Sequence, residues 1–160
     1  MKRVIVIGCP GAGKSTFARK LAEKIGVPLH YLDMIWHRAD RTTISREEFD
    51  ERLKEIMADD KWILDGNYIR TLPKRLAKAD TVFFFDLPVK TCLQGVTERL
   101  GQERPDMPWH DNILSDDFRQ WILDFPTDQL PVIKFLLESY QGYVIRFTSR
   151  EEADNFIAAL

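Results

Sequence analysis

The sequence predicts an α/β fold, a parallel sheet flanked by helices, in a single domain that spans residues 1–160. Short apolar runs alternate with longer amphipathic stretches, which is the pattern of βα units around a parallel sheet. The first run, residues 4–7, is apolar at every position, as in a strand that is covered on both faces. A glycine-rich loop follows that run directly. A chain of this length fits one compact domain and buries a core without disulfides or a structural metal.

Apolar periodicity and turn residues place the individual elements along the chain. Strands are predicted at residues 4–7, 27–32, 62–64, 82–85 and 143–147. Helices are predicted at residues 14–25, 72–79 and 89–100, around 118–123 and 130–140, and after the capping boxes Ser45 with Glu48 and Ser149 with Glu152. Pro105 and Pro108 lie among charges, so residues 101–112 are predicted to form a loop.

Composition excludes several classes of function. The formal net charge is -2 with both signs interspersed, which argues against the basic face that a nucleic-acid-binding protein presents. Neither a signal-peptide pattern nor an apolar stretch near 18 residues is present, so a cytoplasmic protein without a membrane span is expected. The two cysteines form no disulfide framework, and the three histidines show no metal-ligand spacing, which makes a zinc site unexpected.

Residues 8–15, Gly-Cys-Pro-Gly-Ala-Gly-Lys-Ser, fit the phosphate-binding pattern G-x-x-x-x-G-K-[ST]. Such a loop wraps phosphate oxygens with successive backbone N–H groups, and side chains at Gly8 and Gly13 would obstruct that wrap. Lys14 supplies a charge for the β and γ phosphates, and the Ser15 hydroxyl can hold Mg²⁺. The predicted nucleotide-binding residues are therefore Gly8, Gly11, Ala12, Gly13, Lys14, Ser15 and Thr16.

A Mg²⁺ ion on the nucleotide generally needs a carboxylate as well, from the end of a strand near the first one. Asp65 and Asp86 each end an apolar run, and this pattern alone does not choose between them. Asp65 is favoured because Gly66 follows it and allows the backbone to approach a ligand closely. Asp86 precedes Leu87-Pro88, where a carboxylate can simply cap the next helix.

Two levels of family resemblance rest on these and neighbouring residues. Residues 8–15 together with residues 64–72, Leu-Asp-Gly-Asn-Tyr-Ile-Arg-Thr-Leu, resemble the P-loop and the Asp-Gly segment of adenylate-kinase-like P-loop kinases. More narrowly, the chain resembles the bacterial topology modulation proteins over nearly its whole length. The segments that carry this resemblance are residues 32–33, 62–68 and 104–107, with Trp121 and Phe125-Pro126. Adenylate kinases have Phe-Pro-Arg after the Asp-Gly, where this chain has Asn67 to Arg70, so AMP is not assumed as the acceptor.

The resemblance implies a P-loop kinase-like three-layer sandwich whose five-stranded parallel sheet has the order 2-3-1-4-5. It also implies that Asp65 lies near the nucleotide's Mg²⁺, that the segment of about residues 99–125 acts as a helical lid, and that Arg150 lies near the adenine. Arg99 and Arg104 flank Gly101 in the least periodic stretch of the chain, which suits a closing lid. Their guanidinium groups are candidates for meeting charge on a transferred phosphoryl group.

Asp33 follows the second predicted strand, at the carboxyl edge of the sheet where ligands bind in open α/β folds. A carboxylate there favours a hydroxyl acceptor, whose proton it can take, over an anionic phosphate acceptor. In this feature alone the chain resembles small-molecule kinases such as shikimate kinase. The other reading is that Asp33 only caps a turn. Further candidates for binding the acceptor are Trp36, Asn67, Tyr68 and Arg70, with a core or surface role equally open for Trp36.

Two functions follow from these predictions. The first is an ATP- and Mg²⁺-dependent kinase in which Lys14 and the lid arginines neutralise the γ-phosphoryl group and a nucleoside, nucleotide or other hydroxyl metabolite accepts it. The second is an ATP-binding regulatory protein or NTPase, with water as the acceptor and with the link to DNA topology that the resemblance to topology modulation proteins implies. A regulator needs a basic or apolar partner surface, and the sequence shows none.

Overall fold

The computed structural model describes all residues from 1 to 160 and shows the predicted alternation of strands and helices. Its strands are β1 (Arg3–Gly8), β2 (Leu29–Tyr31), β3 (Trp62–Asp65), β4 (Thr81–Phe85) and β5 (Tyr143–Phe147). Its helices are α1 (Lys14–Ile25), α2 (Leu32–Trp36), α3 (Arg46–Met57), α4 (Leu72–Leu76), α5 (Val89–Glu98), α6 (Asp116–Asp128), α7 (Leu130–Glu138) and α8 (Arg150–Ala159). A short 3₁₀ turn, Ile69–Thr71, leads into α4.

The five strands form one parallel sheet in the order β2-β3-β1-β4-β5, which confirms the predicted fold class and strand order. Val6 of β1 lies opposite Asp65 of β3, and Gly8 lies opposite Phe85 of β4. The loop after β1 therefore leaves the sheet beside the end of β3. This register brings the glycine-rich loop and Asp65 to the same edge.

The core fixes α1 against the sheet, and with it the start of the helix that follows the glycine-rich loop. The four apolar residues of β1 are fully buried, since helices cover both faces of the sheet. Phe17 of α1 packs against Phe83 and Phe147, with ring centroids 4.8 and 5.3 Å away. Burying an aromatic side chain of this kind contributes about 1.5–3 kcal/mol to stability. Lys14 and Ser15 at the start of α1 are thereby held in place.

The boundary predicted for the second strand was wrong. Residues 27–32 were predicted as strand, but β2 contains only Leu29–Tyr31, partly because Pro28 has no N–H to donate to the ladder. Leu32 begins α2, and Asp33, which was predicted to end the strand, lies in the first turn of that helix. A helix of five residues is too short for apolar periodicity to predict it.

Helix caps agree with the capping boxes. The hydroxyls of Ser45 and Ser149 accept hydrogen bonds of 3.1 and 3.2 Å from the backbone N–H groups of Glu48 and Glu152. Residues 99–115, the first part of the predicted lid, contain no helix or strand, and α6 forms the remainder.

None of the helices combines the length and the apolar character that crossing a membrane requires.

Candidate active site

The loop between β1 and α1 has a backbone that favours glycine. Gly11 and Gly13 have φ values of 82° and 99°, in the left-handed region. A Cβ on Gly11 would also collide with the backbone carbonyl of Cys92 in α5. None of the backbone N–H groups of residues 13–16 donates to an acceptor within the protein. These free donors at the positive end of α1 form a site suited to phosphate oxygens.

Lys14 lies over this loop. Its ammonium group donates a 3.1 Å hydrogen bond to the backbone carbonyl of Cys9, so the backbone of Cys9, rather than its buried thiol, contributes to the site. Burial lowers the pKa of Lys14, while the negative charge of Asp65 acts in the opposite direction. Asp65 offsets the buried charge of Lys14 only in part, and a phosphate group beside Lys14 would supply further negative charge.

Asp65, Ser15 and Asp106 bring their oxygens together at the start of α1. The Ser15 hydroxyl donates to Asp65 Oδ2 at 2.6 Å, and it also lies 3.2 Å from Asp106 Oδ2. Asp65 is only 5% exposed, and its other oxygen, Oδ1, has no hydrogen-bond partner. Burial raises the pKa of Asp65 to about 6. A buried carboxylate with a free oxygen is an arrangement that a cation would stabilise.

Mg²⁺ fits this arrangement. The structure contains no group of three or more His, Cys, Asp or Glu side chains that could hold a metal ion by themselves. A divalent cation at this position would therefore need the oxygens of Ser15 and Asp65 together with those of a bound phosphate. Mg²⁺ binds in this way, since it commonly uses one or two carboxylates plus substrate phosphates.

Asp86, the other carboxylate that the sequence left open, lies elsewhere and pairs with cations. Its Oδ2 is 2.7 Å from Arg146 Nη2 and 3.8 Å from Lys134 Nζ. It does not cap the following helix either, since α5 has no side-chain cap. The geometry thus places Asp65, and not Asp86, beside the Ser15 hydroxyl.

Asp33 is held by Tyr68. The Tyr68 hydroxyl donates a 2.6 Å hydrogen bond to Asp33 Oδ1. Burial, together with the adjacent Asp33 charge, raises the pKa of Tyr68, so that the phenol stays protonated and acts as a donor. Although Asp33 begins a helix rather than ending a strand, it remains at the carboxyl edge of the sheet. Asp33 therefore has one oriented carboxylate oxygen and a second that the tyrosine does not use.

Three residues that were predicted to bind an acceptor are engaged otherwise. The Asn67 amide accepts from Gly8 N at 2.9 Å and donates to Gly8 O at 2.8 Å, so it braces the glycine-rich loop. Trp36 packs edge-on against Phe49, with centroids 5.6 Å apart. Arg70 lies on the surface, and its guanidinium group binds the Asp50 carboxylate through two hydrogen bonds of 2.8 and 3.1 Å. Trp36 thus takes the packed role that the sequence left open, and the parts of Asn67 and Arg70 in binding an acceptor stay predictions.

The two predicted lid arginines differ in their contacts. Arg104 binds Asp106 through two hydrogen bonds of 2.6 and 3.1 Å. Arg99, at the end of α5, forms no salt bridge, and burial lowers its pKa to about 10, which leaves it charged at neutral pH. Arg99 is thus available to an anion. Arg104 would have to bind an anion while it also binds Asp106.

Arg150 contacts the glycine-rich loop from the start of α8. Its Nη2 donates to the carbonyl of Gly11 at 2.7 Å, and its side chain lies against Gly13. The structure therefore brings Arg150 to the phosphate loop itself.

Sequence reasoning missed Asp106 and Arg75. Asp106 is 6% exposed and reaches Ser15 from the lid segment, but no apolar run precedes it, so the strand-then-carboxylate pattern could not find it. Arg75 is fully buried and donates to the backbone carbonyls of residues 66–68 as well as to Thr71 Oγ1. It fixes the segment after Asp65. In the sequence Arg75 looks like any exposed helical arginine.

Two cavities adjoin at this edge of the sheet. The first, which we call the P-loop cleft, has a volume of about 530 Å³ and extends from the glycine-rich loop to Arg150. The second, which we call the adjoining cavity, has a volume of about 670 Å³ and contains Asp33, Tyr68 and Trp121. Lys14, Arg99 and Arg104 line both. A ligand on the loop and a second ligand near Asp33 would therefore meet at these three cations.

Comparisons with known proteins agree with this geometry at the level of the fold. No family model matches the sequence. Two adenylate kinase sequences from Thermotoga neapolitana are each 30% identical to this chain over 80 residues, which is 50% of this chain and 36% of theirs. The match thus spans about a third of the length of these curated relatives.

Solved structures match over nearly the whole chain. Shikimate kinase from Acinetobacter baumannii, in complex with shikimate, has a TM-score of 0.63 and 21% identity, covering 99% of this chain and 92% of the other. Shikimate kinase from Bacteroides thetaiotaomicron has a TM-score of 0.64 and 17% identity, covering 99% and 95%. The chain therefore has the fold of the P-loop kinases. The resemblance to topology modulation proteins stays a prediction.

Proposed function

We propose that this chain is an ATP-dependent phosphotransferase that transfers the γ-phosphoryl group to a hydroxyl of a small molecule. One observation carries the proposal: the P-loop cleft opens onto a second cavity that contains Asp33, and three cations line both spaces. Phosphoryl transfer needs two ligand sites with positive charge between them. The likeness to adenylate kinases and shikimate kinases supports the same class of reaction.

On the nucleotide side, the free N–H groups of residues 13–16 would bind phosphate oxygens, and Lys14 would bind the β and γ phosphates. Ser15 and Asp65 would hold Mg²⁺, with Asp65 Oδ1 as the free ligand atom. When bound, Mg²⁺ offsets phosphate charge and orients the transferred group. Arg150 would fix the loop by its bond to Gly11.

On the acceptor side, Asp33 would act as the general base. Its carboxylate takes the proton of the acceptor hydroxyl while the acceptor oxygen bonds to the γ-phosphorus. The bond from that phosphorus to the bridging oxygen of ADP breaks, and ADP leaves with that oxygen. Tyr68 holds the Asp33 carboxylate through its 2.6 Å hydrogen bond, so that the remaining oxygen faces the acceptor in a fixed orientation.

The lid segment would provide charge and exclude water. Arg99, which has no anionic partner, would meet the negative charge on the transferred group. Arg104 is positioned by Asp106, whose carboxylate also touches Ser15. Excluding water from such a site disfavours hydrolysis of ATP relative to transfer.

The decisive assay follows ADP release from ATP and Mg²⁺ with nucleosides, nucleoside monophosphates and small alcohols as acceptors. We expect release that depends on the acceptor and that is absent from the Lys14→Ala variant. Release at one rate with every acceptor and with none, accompanied by inorganic phosphate, would instead identify an NTPase, the second function that the sequence left open.

A further inference from the structure

The charges that line the two cavities are unevenly distributed. Five aspartates, one lysine, two arginines and one histidine, His37, line the adjoining cavity. The lysine and the arginines, Lys14, Arg99 and Arg104, also line the P-loop cleft. They therefore lie along the wall that the two spaces share, where the phosphoryl group would be transferred. No lysine or arginine lines the adjoining cavity away from that wall.

Aspartates remain on the walls that belong to the adjoining cavity alone. Asp33, Asp65, Asp111 and Asp117 line only this space. Asp111 lies 3.2 Å from Arg41, which offsets its charge. The other three form no salt bridge. Asp65 is buried and its unpartnered oxygen would bind Mg²⁺, so Asp33 and Asp117 are the carboxylates left without a cation.

The basic residues that could have balanced these carboxylates are directed elsewhere. Arg70, which follows the Asp-Gly segment, is bound to Asp50 on the surface and lines neither cavity. Arg75, which is fully buried, donates to backbone carbonyls behind that segment. An acceptor that carried a phosphate or carboxylate would therefore find no lysine or arginine away from the transfer point, and it would face Asp33 and Asp117.

The apolar lining of the same cavity consists largely of aromatic faces. The rings of Phe118 and Trp121 lie nearly parallel, with centroids 6.5 Å apart, and both line the cavity with Tyr68. Aromatic faces pack against sugar rings and flat bases without requiring charge. Trp121 also attracts cations, which an aromatic ring binds over its face.

We infer that the acceptor is a hydroxyl compound with no negative charge, either neutral or amine-bearing, with a ring that packs on Trp121. This inference rests on the proposed function, since it describes the second ligand of the same site. It narrows the acceptor to compounds such as nucleosides, sugars and amino sugars. Nucleoside monophosphates and sugar acids fall outside this class.

The test compares ligands of one skeleton that differ in charge. Binding of adenosine and AMP, and of glucosamine, glucose and glucuronate, is measured by calorimetry on the protein saturated with ADP and Mg²⁺, so that the P-loop cleft is filled. In each set we expect the anion to bind at least tenfold more weakly than the neutral or amine-bearing member. AMP or glucuronate binding as tightly as its neutral counterpart would overturn the inference.

A matched pair of variants assigns the preference to this cavity. Asp116 and Asp117 are adjacent, exposed and in the first turn of α6, but only Asp117 lines the cavity. The measured quantity is the dissociation constant of AMP divided by that of adenosine. Asp117→Lys is expected to reduce this ratio about fivefold, and Asp116→Lys is expected to leave it unchanged. An equal ratio in both variants would also overturn the inference.

The failure of the inference can be told apart from that of the proposed function. A protein that prefers neutral or amine-bearing ligands but never releases ADP in response to them would contradict phosphoryl transfer alone. A protein that transfers phosphate to AMP or glucuronate more efficiently than to adenosine or glucose would contradict the charge preference alone.

Discussion

Asp65 meets two opposing requirements. In the proposed function it must be ionised to hold a cation beside Ser15, yet it lies among buried residues that disfavour its charge. Burial raises its pKa from 3.8 to about 6, despite the opposing effects of Lys14 and Ser15. A carboxyl group with a raised pKa binds its proton more readily in the folded than in the unfolded chain. The free energy of unfolding therefore falls as the pH rises from about 4 through about 6.

The Asp65→Asn variant tests this conflict. We compare the free energy of unfolding of the variant with that of the wild type, both without ligand. Because the amide stays neutral, this difference should favour the variant by about 1–3 kcal/mol more at pH 8 than at pH 4. Urea unfolding at both pH values measures it. The variant should also lose Mg²⁺-dependent turnover, and the wild type should bind Mg²⁺ more weakly as the pH falls below about 6, because protons compete for the same carboxylate. A stability difference that is the same at both pH values would contradict burial as the cause.

Asp33 is the residue on which the proposed acceptor chemistry depends. Replacing it by asparagine removes the proton acceptor but keeps the shape, so Asp33→Asn should lower turnover about 10²- to 10⁴-fold with the true acceptor. Tyr68→Phe is the matched control: it removes the 2.6 Å hydrogen bond but keeps the carboxylate, and a smaller loss is expected. An unchanged rate in Asp33→Asn would return this residue to a role in capping a turn.

At the scale of elements, α5 supports the glycine-rich loop through close backbone contact. Gly95 in the middle of α5 faces Gly11, and the Cys92 carbonyl lies where a Cβ of Gly11 would be. The guanidinium group of Arg150 enters the same gap to reach Gly11 O. Two elements that are distant from the phosphate loop in sequence, α5 and α8, thus determine its shape.

Gly95→Ala should test this packing. Replacing glycine by alanine within a helix usually stabilises a protein by about 1 kcal/mol. Here the added Cβ would collide with the backbone of Gly11 and with Arg150. We therefore expect destabilisation of about 1–3 kcal/mol and weaker ATP binding, measured by urea unfolding and calorimetry. Gln94→Ala, on the exposed side of α5, is the control and should change stability by less than about 0.5 kcal/mol. A stabilised Gly95→Ala protein would disprove the close contact.

At the scale of the whole molecule, the site joins segments that lie far apart along the chain. The loop after β1, the end of β3, the lid segment and the start of α8 converge at one sheet edge. A ligand in either cavity contacts the loop after β1 and the lid segment at once, and this site exists only in the folded chain. Ligand binding must therefore stabilise the fold as a whole.

This coupling predicts a shift in thermal unfolding. ATP with Mg²⁺ at about 100 times its dissociation constant should add about 2.7 kcal/mol, which raises the midpoint by about 5–10 °C for a chain of this size. Lys14→Ala should abolish the shift but keep the circular dichroism spectrum of the wild type. Lys24→Ala, in the last turn of the same helix, should keep the shift. A wild-type shift in Lys14→Ala would remove the loop from nucleotide binding.

Local sequence patterns predicted most of the elements and the phosphate loop. Apolar runs, capping serines and the spacing of glycines depend on neighbours within a few residues, so local patterns predicted β1, α1 and the free amides between them. Local patterns could not predict α2, which is too short to show a period. They could not assign a role to Asp106 either, because its partner Ser15 lies 91 residues away. Arg75 binds backbone carbonyls, which no side-chain pattern in the sequence reveals.

Which polar side chains face the site depends on contacts between segments that are distant in sequence. The tertiary structure turned Asn67 toward Gly8, bound Arg70 to Asp50 and placed Asp65 rather than Asp86 beside Ser15. It also confined the cations to the wall between two cavities. The physical reason is that hydrogen bonds and ion pairs act over a few ångströms in space. A linear sequence does not record those distances until the sheet order and register bring the strands together.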